Sequence, residues 1–560
     1  MADAGPAGPV IPARVSPVVD AGDGLPLTVP ALLRDRAAAR GGHRLLVCDR
    51  EELTYADAEH RSAALARGLL AAGAGKGTHV GLLYPNGADF VVGWLAAARI
   101  GAVTIPFSTF STATELRGLL RGADVEILLA ADAFRSHDYL ATLREAVPEL
   151  DLGTPPPLRS PTVPALRRIA FQDGTGVPAA WSVAALIEAG TETPDEPAAA
   201  SEADVSPADR MVIVHTSGST GDPKGAVHRH GPLIRHMANL NVLRRVGETD
   251  VHFSNSPFFW VGGFAFSLLG TVLAGATLVC SNSADSGEVL DLIERTRPTL
   301  AFGFAASVAH LAADPSFARR DLRSFRRGNL WPILPDGVRA ADPGLRHNML
   351  GTTETGSVCL LSEDESDQPE HRRGSFGRPA PGFEAEVVDP ETGAACRPGD
   401  IGELRLRGPF LMEGYYGREY ADAFDADGWY RTGDLFTTDE DGFHYFQGRR
   451  GEMIKTAGAN VSPREVEAAF LDASGLTAHV VGVDDPVRGQ IVAAAVRVPP
   501  GRTPVDPDEL KSRLRSRLSA YKVPRRIVLM GDDEVPMMSS GKLDLRALKS
   551  LLAAGSAPRG

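Results

Sequence analysis

The sequence predicts an α/β protein with a small α+β unit at its C-terminal end, and three observations support this prediction. Residues 26–135 and 211–355 alternate between helix-like and strand-like patterns, which is typical of parallel sheets joined by crossover helices. Residues 374–446 instead show short alternating strands separated by Gly, Pro and Asp, which indicates a small antiparallel β unit. About 110 residues then remain, enough for a separate small domain, and a chain of 560 residues requires more than one core.

The individual elements follow from apolar periodicity and from capping signals. Two stretches, 150–165 and 190–208, are rich in Pro or in Ala, Glu and Pro, so we expect surface loops there. Ser462, Pro463 and Glu465 have the spacing of a helix cap, a first helical position and a capping box. The predicted helices are 56–72, 90–100, 462–471 and 506–518, and the predicted strands are 79–84, 102–106, 211–214, 384–388, 402–406, 478–483 and 492–498.

Residues 257–280 carry no charge and are long enough to be mistaken for a membrane span. Glycines interrupt this stretch, and its last five residues, 276–280, have β character. We therefore expect a buried helix followed by a buried strand, and no membrane span.

The composition excludes some classes of function. A net charge of −13 argues against a general nucleic-acid partner. The first 25 residues lack the apolar core of a signal peptide, which predicts a loose tail. The cysteines are widely spaced and read as reduced thiols of a cytoplasmic protein; they are Cys48, Cys280, Cys359 and Cys396.

A loop rich in Gly, Ser and Thr follows the strand at 211–214 and has the composition of a phosphate-binding loop. Glycines let backbone N–H groups approach oxyanions, hydroxyls add hydrogen bonds, and an ammonium neutralises charge. Pro223 stands where a Walker A loop requires glycine, so that loop type is excluded. A flexible linker is the alternative. The candidate phosphate ligands are Thr216, Ser217, Gly218, Ser219, Thr220, Gly221 and Lys224.

This motif, Ser-Gly-Ser-Thr-Gly-x-Pro-Lys-Gly, resembles the phosphate loop of the adenylate-forming superfamily of acyl-CoA synthetases, peptide-synthetase adenylation domains and luciferases. Four further motifs follow in the family's order, between residues 350 and 542. The resemblance implies a large N-terminal domain of α/β-sandwich subdomains with a β-barrel-like unit, and a mobile C-terminal domain. The implied limits are a tail at 1–25, an AMP-binding domain at 26–447, a hinge at 448–452, a mobile domain at 453–548 and a tail at 549–560.

The second motif, Leu350-Gly351-Thr352-Thr353-Glu354, resembles the family's Tyr-Gly-x-Thr-Glu beside the adenine and the phosphates. By this resemblance Glu354 would coordinate Mg²⁺ together with Thr216, and Thr353 would bind the α-phosphate. A carboxylate with phosphate and water oxygens is the ligand set that Mg²⁺ prefers. Leu350 replaces the usual tyrosine, so adenine would pack on an aliphatic surface.

The remaining motifs resemble those that bind ribose, form the hinge and supply a catalytic lysine. Asp434, in Gly-Trp-Tyr-Arg-Thr-Gly-Asp, would accept hydrogen bonds from both ribose hydroxyls, and Arg449 would also bind the ribose. Gly451 lies at the hinge position, and Gly458 would line a coenzyme A tunnel. Lys542, in Ser-Gly-Lys, would stabilise the charge that develops during adenylation, as would Lys224.

The resemblance implies activation of a carboxylic acid by ATP and Mg²⁺, followed by transfer to coenzyme A. Trp260, Phe264 and Phe304 would line the acid pocket, and residues 257–266 lack the aspartate that amino-acid-activating relatives use. An apolar or aromatic acid is therefore expected. Two alternatives remain: an enzyme that loads a carrier protein or activates nitrite or another oxyanion, and a nucleotide-binding protein without catalysis. Basic stretches at 319–327 and 511–526 are either contacts for coenzyme A phosphates or solvated helix faces.

Overall fold

The computed structural model describes residues 24–217, 223–450, 454–461, 463–499, 505–531, 534–536 and 543–554. The helices in these ranges are α1 Val29–Arg40, α2 Tyr55–Ala71, α3 Ala88–Arg99, α4 Ala113–Gly122, α5 Tyr139–Ala146, α6 Val183–Gly190, α7 Asp195–Ala203, α8 His230–Leu243, α9 Gly270–Ala274, α10 Ser286–Thr296, α11 Ala309–Ala312, α12 Pro463–Ser474, α13 Pro507–Arg515 and α14 Leu545–Ala554.

The strands in the large domain are β1 Arg44–Cys48, β2 Glu51–Thr54, β3 His79–Leu83, β4 Val103–Pro106, β5 Ile127–Ala130, β6 Ala133–Phe134, β7 His137–Asp138, β8 Arg168–Phe171, β9 Arg210–Ser217, β10 Pro223–Arg229, β11 Val251–Phe253, β12 Thr277–Cys280, β13 Leu300–Ala301, β14 Arg327–Gly328, β15 Leu350–Gly351, β16 Val358–Leu361, β17 Arg378–Pro379, β18 Glu384–Val388, β19 Gly402–Arg407, β20 Tyr430–Thr438 and β21 His444–Arg449. Those of the final unit are β22 Ile454–Thr456, β23 Ala459–Val461, β24 Ala478–Asp485, β25 Gly489–Arg497 and β26 Arg526–Met530.

Two six-stranded sheets form the large domain, which confirms the predicted α/β class. Their strand orders are β14-β13-β11-β12-β1-β2 and β10-β9-β4-β3-β5-β8. Most neighbours are parallel, and antiparallel pairs close one edge of each sheet. Inner strands such as β3 and β5 are buried along their whole length, as expected when helices cover both faces. Helix α3 is apolar on nearly every side and belongs to a core cluster that also contains residues of both sheets.

The predicted antiparallel β unit is also present, as a four-stranded sheet in the order β18-β19-β20-β21. A separate three-stranded sheet, β15-β16-β17, carries the turn that contains Glu354. Each connection in these two sheets is antiparallel.

Two sequence expectations need comment. The apolar stretch at 257–280 forms a π-helix, Gly262–Leu269, continued by α9 and followed by β12, as a buried helix and strand. No helix in the described part of the chain is long and apolar enough to cross a membrane. The loop predicted at 190–208 is wrong in part, because α7 occupies Asp195–Ala203. Helix α7 has no apolar face, and none of its residues is buried. Acidic residues in its first turn stabilise the helix instead.

The final unit is a sheet in the order β23-β22-β25-β24, with β26 parallel to β25. Alternate residues of β24 and β25 point to opposite faces. Val480 and Val492 pack in a cluster with residues of α12 and α13, whereas Val481 and Ile491 pack with residues of α14. Helices α12 and α13 therefore pack on one face of the sheet, and α14 packs on the other. Helix α14 continues past residue 548, the predicted end of this domain.

Candidate active site

A cavity of about 200 Å³ lies where the large domain meets the final unit. It brings together residues that are far apart in the sequence and that belong to three of the predicted motifs. Those motif residues are Thr216 of the phosphate loop, Gly351, Thr352 and Thr353 of the second motif, and Gly458 of the final unit; other lining residues include Phe259, Trp260, Phe304, Ala459, Glu115, Glu465, Ser519, Tyr521 and Lys522.

The predicted phosphate loop begins and ends on two paired strands. Lys224 on β10 is the register partner of Thr216 on β9, so both ends of the loop lie side by side. Residues 218–222, which include the predicted ligands Gly218, Ser219, Thr220 and Gly221, lie outside the described residues, as does the side chain of Ser217. The structure thus places Thr216 and Lys224 of this motif.

Glu354 lies in the tight turn between β15 and β16. The hydroxyl of Thr355 accepts a hydrogen bond from the Thr352 N–H at 3.0 Å and donates to the Ser357 carbonyl at 2.6 Å. His228 lies 2.7 Å from the Thr353 carbonyl through Nε2. Burial lowers the pKa of His228 to about 4, so the ring is neutral at pH 7 and must donate its Nε2 proton to that carbonyl. The turn is therefore held from inside the protein.

Tyr415 connects the predicted magnesium ligand with the predicted cationic residue. Its hydroxyl donates to Oε1 of the buried Glu354 at 2.8 Å. The Nζ of Lys224 lies 5.0 Å from the centre of the Tyr415 ring, within cation–π distance. Backbone pairing fixes the segment, because the Met412 N–H donates to the Glu354 carbonyl at 2.8 Å. The sequence analysis did not select Tyr415.

The predicted ribose ligands are neighbours in the antiparallel sheet. Asp434 on β20 is the register partner of Arg449 on β21. Asp434 is buried, and its backbone N–H donates to the Thr432 hydroxyl at 3.1 Å. The side chain of Arg449 is outside the described set, so only its backbone position is established.

The predicted acid-binding residues divide into two groups. Trp260 and Phe304 line the cavity. Phe264 does not line it: its side chain is fully buried and packs edge-to-face on Trp94 at 5.2 Å and on Phe90 at 6.4 Å. Leu350 is buried in the main core, next to the cavity-lining Gly351.

The predicted hinge residue Gly451 and the predicted catalytic Lys542 lie outside the described residues. The chain next to Lys542 is described, and Leu543 packs with the α14 cluster. Gly458 and Tyr521 instead line the cavity, and Tyr521 also packs against the α12 and α13 cluster. In this arrangement the Gly458 turn adjoins the cavity, while Leu543 packs on the other face of the small sheet.

Comparisons with known proteins match the chain to a family and to several relatives. The AMP-binding enzyme family matches residues 33–416, and the AMP-binding enzyme C-terminal domain matches residues 465–542. Feruloyl-CoA synthase of Amycolatopsis sp is 32% identical over 498 residues, covering 88% of this chain and 92% of that protein. The mitochondrial medium-chain acyl-CoA ligase ACSF2 of Mus musculus is 30% identical over 506 residues, covering 88% and 82%. The structure of amide bond synthetase McbA from Marinactinospora thermotolerans superposes with a TM-score of 0.75 at 25% identity, covering 93% and 99%.

The two-domain fold and the motif-lined cavity define an AMP-forming, adenylate-forming ligase. The chain belongs to the AMP-binding enzyme family, and its resemblance to the acyl-CoA synthetases extends over most of its length.

Proposed function

We propose that this protein adenylates an apolar or aromatic carboxylic acid with ATP and then transfers the acyl group to coenzyme A. The cavity is the observation that carries the proposal. Its wall combines hydroxyl groups of the adenylation motifs, Thr216 and Thr353, with aromatic side chains and with the Gly458 turn. A carboxylate held at the hydroxyls would place its organic body against Trp260 and Phe304.

The charges around the cavity favour an uncharged acyl body. Among its described lining residues the carboxylates are Glu115 and Glu465, and both pair with Lys522. Residues 257–266 contribute no charge to the aromatic wall. The α-ammonium group of an amino acid would therefore lose its hydration without gaining a carboxylate partner here, which is costly.

The adenylation step joins two anions, so positive charge has to be concentrated at the α-phosphate. Lys224 and Thr216 lie together at the two ends of the phosphate loop. The described residues hold no cluster of three or more His, Cys, Asp or Glu side chains suited to a metal. Glu354 and Thr216 fit Mg²⁺ as single oxygen ligands, with phosphate and water supplying the others. Bound Mg²⁺ would neutralise phosphate charge, and Asp434 would orient the ribose.

A panel assay tests this function. We expect ATP–pyrophosphate exchange with medium-chain fatty acids and with cinnamate- or benzoate-type acids, and coenzyme A should accelerate AMP release with formation of the thioester. Amino acids and nitrite form the comparison arms. Exchange confined to those arms, or AMP release unaffected by coenzyme A, would contradict the proposal.

Tyr415→Phe tests how Glu354 is held. The change removes the hydroxyl that donates to Glu354 but keeps the ring near Lys224. A hydrogen bond to a charged group contributes about 1.5–3 kcal/mol, so we expect about a tenfold or larger loss of exchange rate and a higher Mg²⁺ requirement. Exchange rates measured across a Mg²⁺ titration check this. Tyr445→Phe, which removes a hydroxyl bonded to Asp439 away from the cavity, is the control; equal effects of the two changes would refute the assigned role.

A further inference from the structure

A buried ion cluster joins the two domains at the edge of the cavity. Lys522 precedes β26, and its Nζ lies 3.0 Å from Glu115 Oε1 on α4 of the large domain. The same nitrogen lies 2.7 Å from Glu465 Oε1 in the first turn of α12. The three side chains are 9%, 12% and 13% exposed, respectively, so water screens them little.

Contacts within the large domain also hold Glu115 in place. It occupies the third position of α4 and forms a capping box with Thr112, whose N–H donates to Oε2 at 2.9 Å. The small domain adds two more donors to the same carboxylate: the Ser519 N–H at 3.2 Å and the Ser519 hydroxyl at 2.6 Å. A helix cap in the large domain is thus also the acceptor for a lysine and a serine of its neighbour.

The charge balance of this cluster depends on contact between the domains. Lys522 and Glu465 belong to the same small domain and would stay together if it moved, whereas Glu115 would remain on α4. Burial on its own would lower the pKa of Lys522. The neighbouring Tyr521, Glu115 and Glu465 have the larger combined effect and raise this pKa. Burial on its own would raise the pKa of Glu115. The interactions with Lys522, Ser519 and Thr112 have the larger combined effect and lower this pKa. Both groups are therefore charged at neutral pH. The ion pair between Lys522 and Glu115 exists only while the two domains are in contact.

Two further contacts between the domains lie beside this ion cluster, at the cavity. The Tyr521 ring packs edge-to-face on Phe110 of the large domain, with centres 6.3 Å apart. Gly458 has a φ of +85°, and a Cβ there would lie 3.3 Å from the Phe304 ring. The turn can therefore approach Phe304 this closely because it carries glycine. The ion cluster, the aromatic contact and the glycine turn all hold the small domain at the cavity.

We infer that Glu115 is a positioning residue for acyl transfer to coenzyme A: through Lys522 and Ser519 it stabilises the pose in which the Gly458 turn lines the cavity. The inference rests on the proposed function for its catalytic consequence. In the proposed two-step reaction adenylation depends on Lys542, so we expect Glu115 to act chiefly on the second step.

Glu115→Gln tests this role, because glutamine keeps the capping geometry and removes the charge. We expect acyl transfer from preformed acyl-adenylate to coenzyme A to fall about tenfold or more relative to ATP–pyrophosphate exchange by the same variant, as for typical coupling energies. Glu509→Gln is the matched control, since it removes an exposed charge that pairs with Arg513 on α13. Equal slowing of both half-reactions, or of neither, would overturn the inference.

Hydrogen–deuterium exchange measures the contact without any substrate. In Glu115→Gln we expect faster exchange in the β22–β23 hairpin, 454–461, and in 519–522, with protection of the inner strands and the melting temperature preserved. Unchanged exchange in both segments would also overturn the inference. If the wild type transfers no acyl group to coenzyme A while these segments still respond, the proposed function fails and the positional contact stands.

Discussion

Lys542→Ala is expected to lower the rate of adenylation by about two to three orders of magnitude, the usual cost of removing one group that stabilises charge in a transition state. Transfer of an acyl group from preformed acyl-adenylate to coenzyme A should remain near the wild-type rate. The reason for this asymmetry lies in the arrangement of the small domain. Gly458 lines the cavity, whereas Leu543, next to Lys542, packs on the opposite face of the small sheet.

The two half-reactions are measured separately, by ATP–pyrophosphate exchange and by single-turnover acyl transfer. Lys511→Ala is the control, because it removes the same charge from the same domain. Lys511 forms a surface ion pair with Asp508 on α13. Equal impairment of both half-reactions by Lys542→Ala would argue against a small domain that serves the two steps in different poses. Glu115→Gln, which is expected to slow the second step more than the first, is the complementary variant.

The fold was largely predictable because it depends on local patterns. Buried parallel strands such as β3 are mostly apolar, and α2, predicted at 56–72, spans Tyr55–Ala71. The exposed helix α7 could not be found in this way, because it buries no residue. The apolar stretch at 257–280 shows a related limit. Its composition predicted burial, but hydrophobicity does not distinguish a π-helix from an α-helix.

The site was predictable where a motif contains all of its parts, and it was not where contacts form between distant segments. Tyr415 is 61 residues from Glu354, and the backbone pairing of its segment with β10 and with Glu354 itself brings the two together. Lys522 lies in a basic stretch for which solvated faces or phosphate contacts were expected, yet it is buried between two acids. Phe264 shows the converse: in a run of aromatic residues, nothing in the sequence separates those that face the cavity from those that face the core.

The second large effect expected is a steep loss of stability in mild acid. Five of the histidines buried in the described part of the chain have pKa values that burial, the main cause, lowers below the usual value of 6.5. The lowered values are about 4 for His228, His230 and His444 and about 3 for His236 and His252.

Because the folded pKa values lie below those of the unfolded chain, the unfolded chain binds more protons once the pH falls below about 6.5. Each histidine then removes up to about 1.4 kcal/mol of stability per pH unit until its folded pKa is reached. Five such groups remove roughly 5–10 kcal/mol between pH 7 and pH 5, comparable with the whole stability of about 5–15 kcal/mol of a typical domain. We therefore expect the large domain, which contains all five, to unfold near pH 5, as monitored by urea titrations at half-unit pH steps.

His236→Phe tests whether these histidines are the cause. The imidazole of His236 packs against the rings of Phe383, with centres 5.1 Å apart, and Phe410, with centres 5.6 Å apart, so a phenyl ring suits its surroundings. The variant should lose stability less steeply between pH 6.5 and pH 4, by about one proton, or at most about 1.4 kcal/mol per pH unit. His371→Phe is the control, because His371 is exposed. A pH slope unchanged in His236→Phe would contradict the contribution assigned to His236.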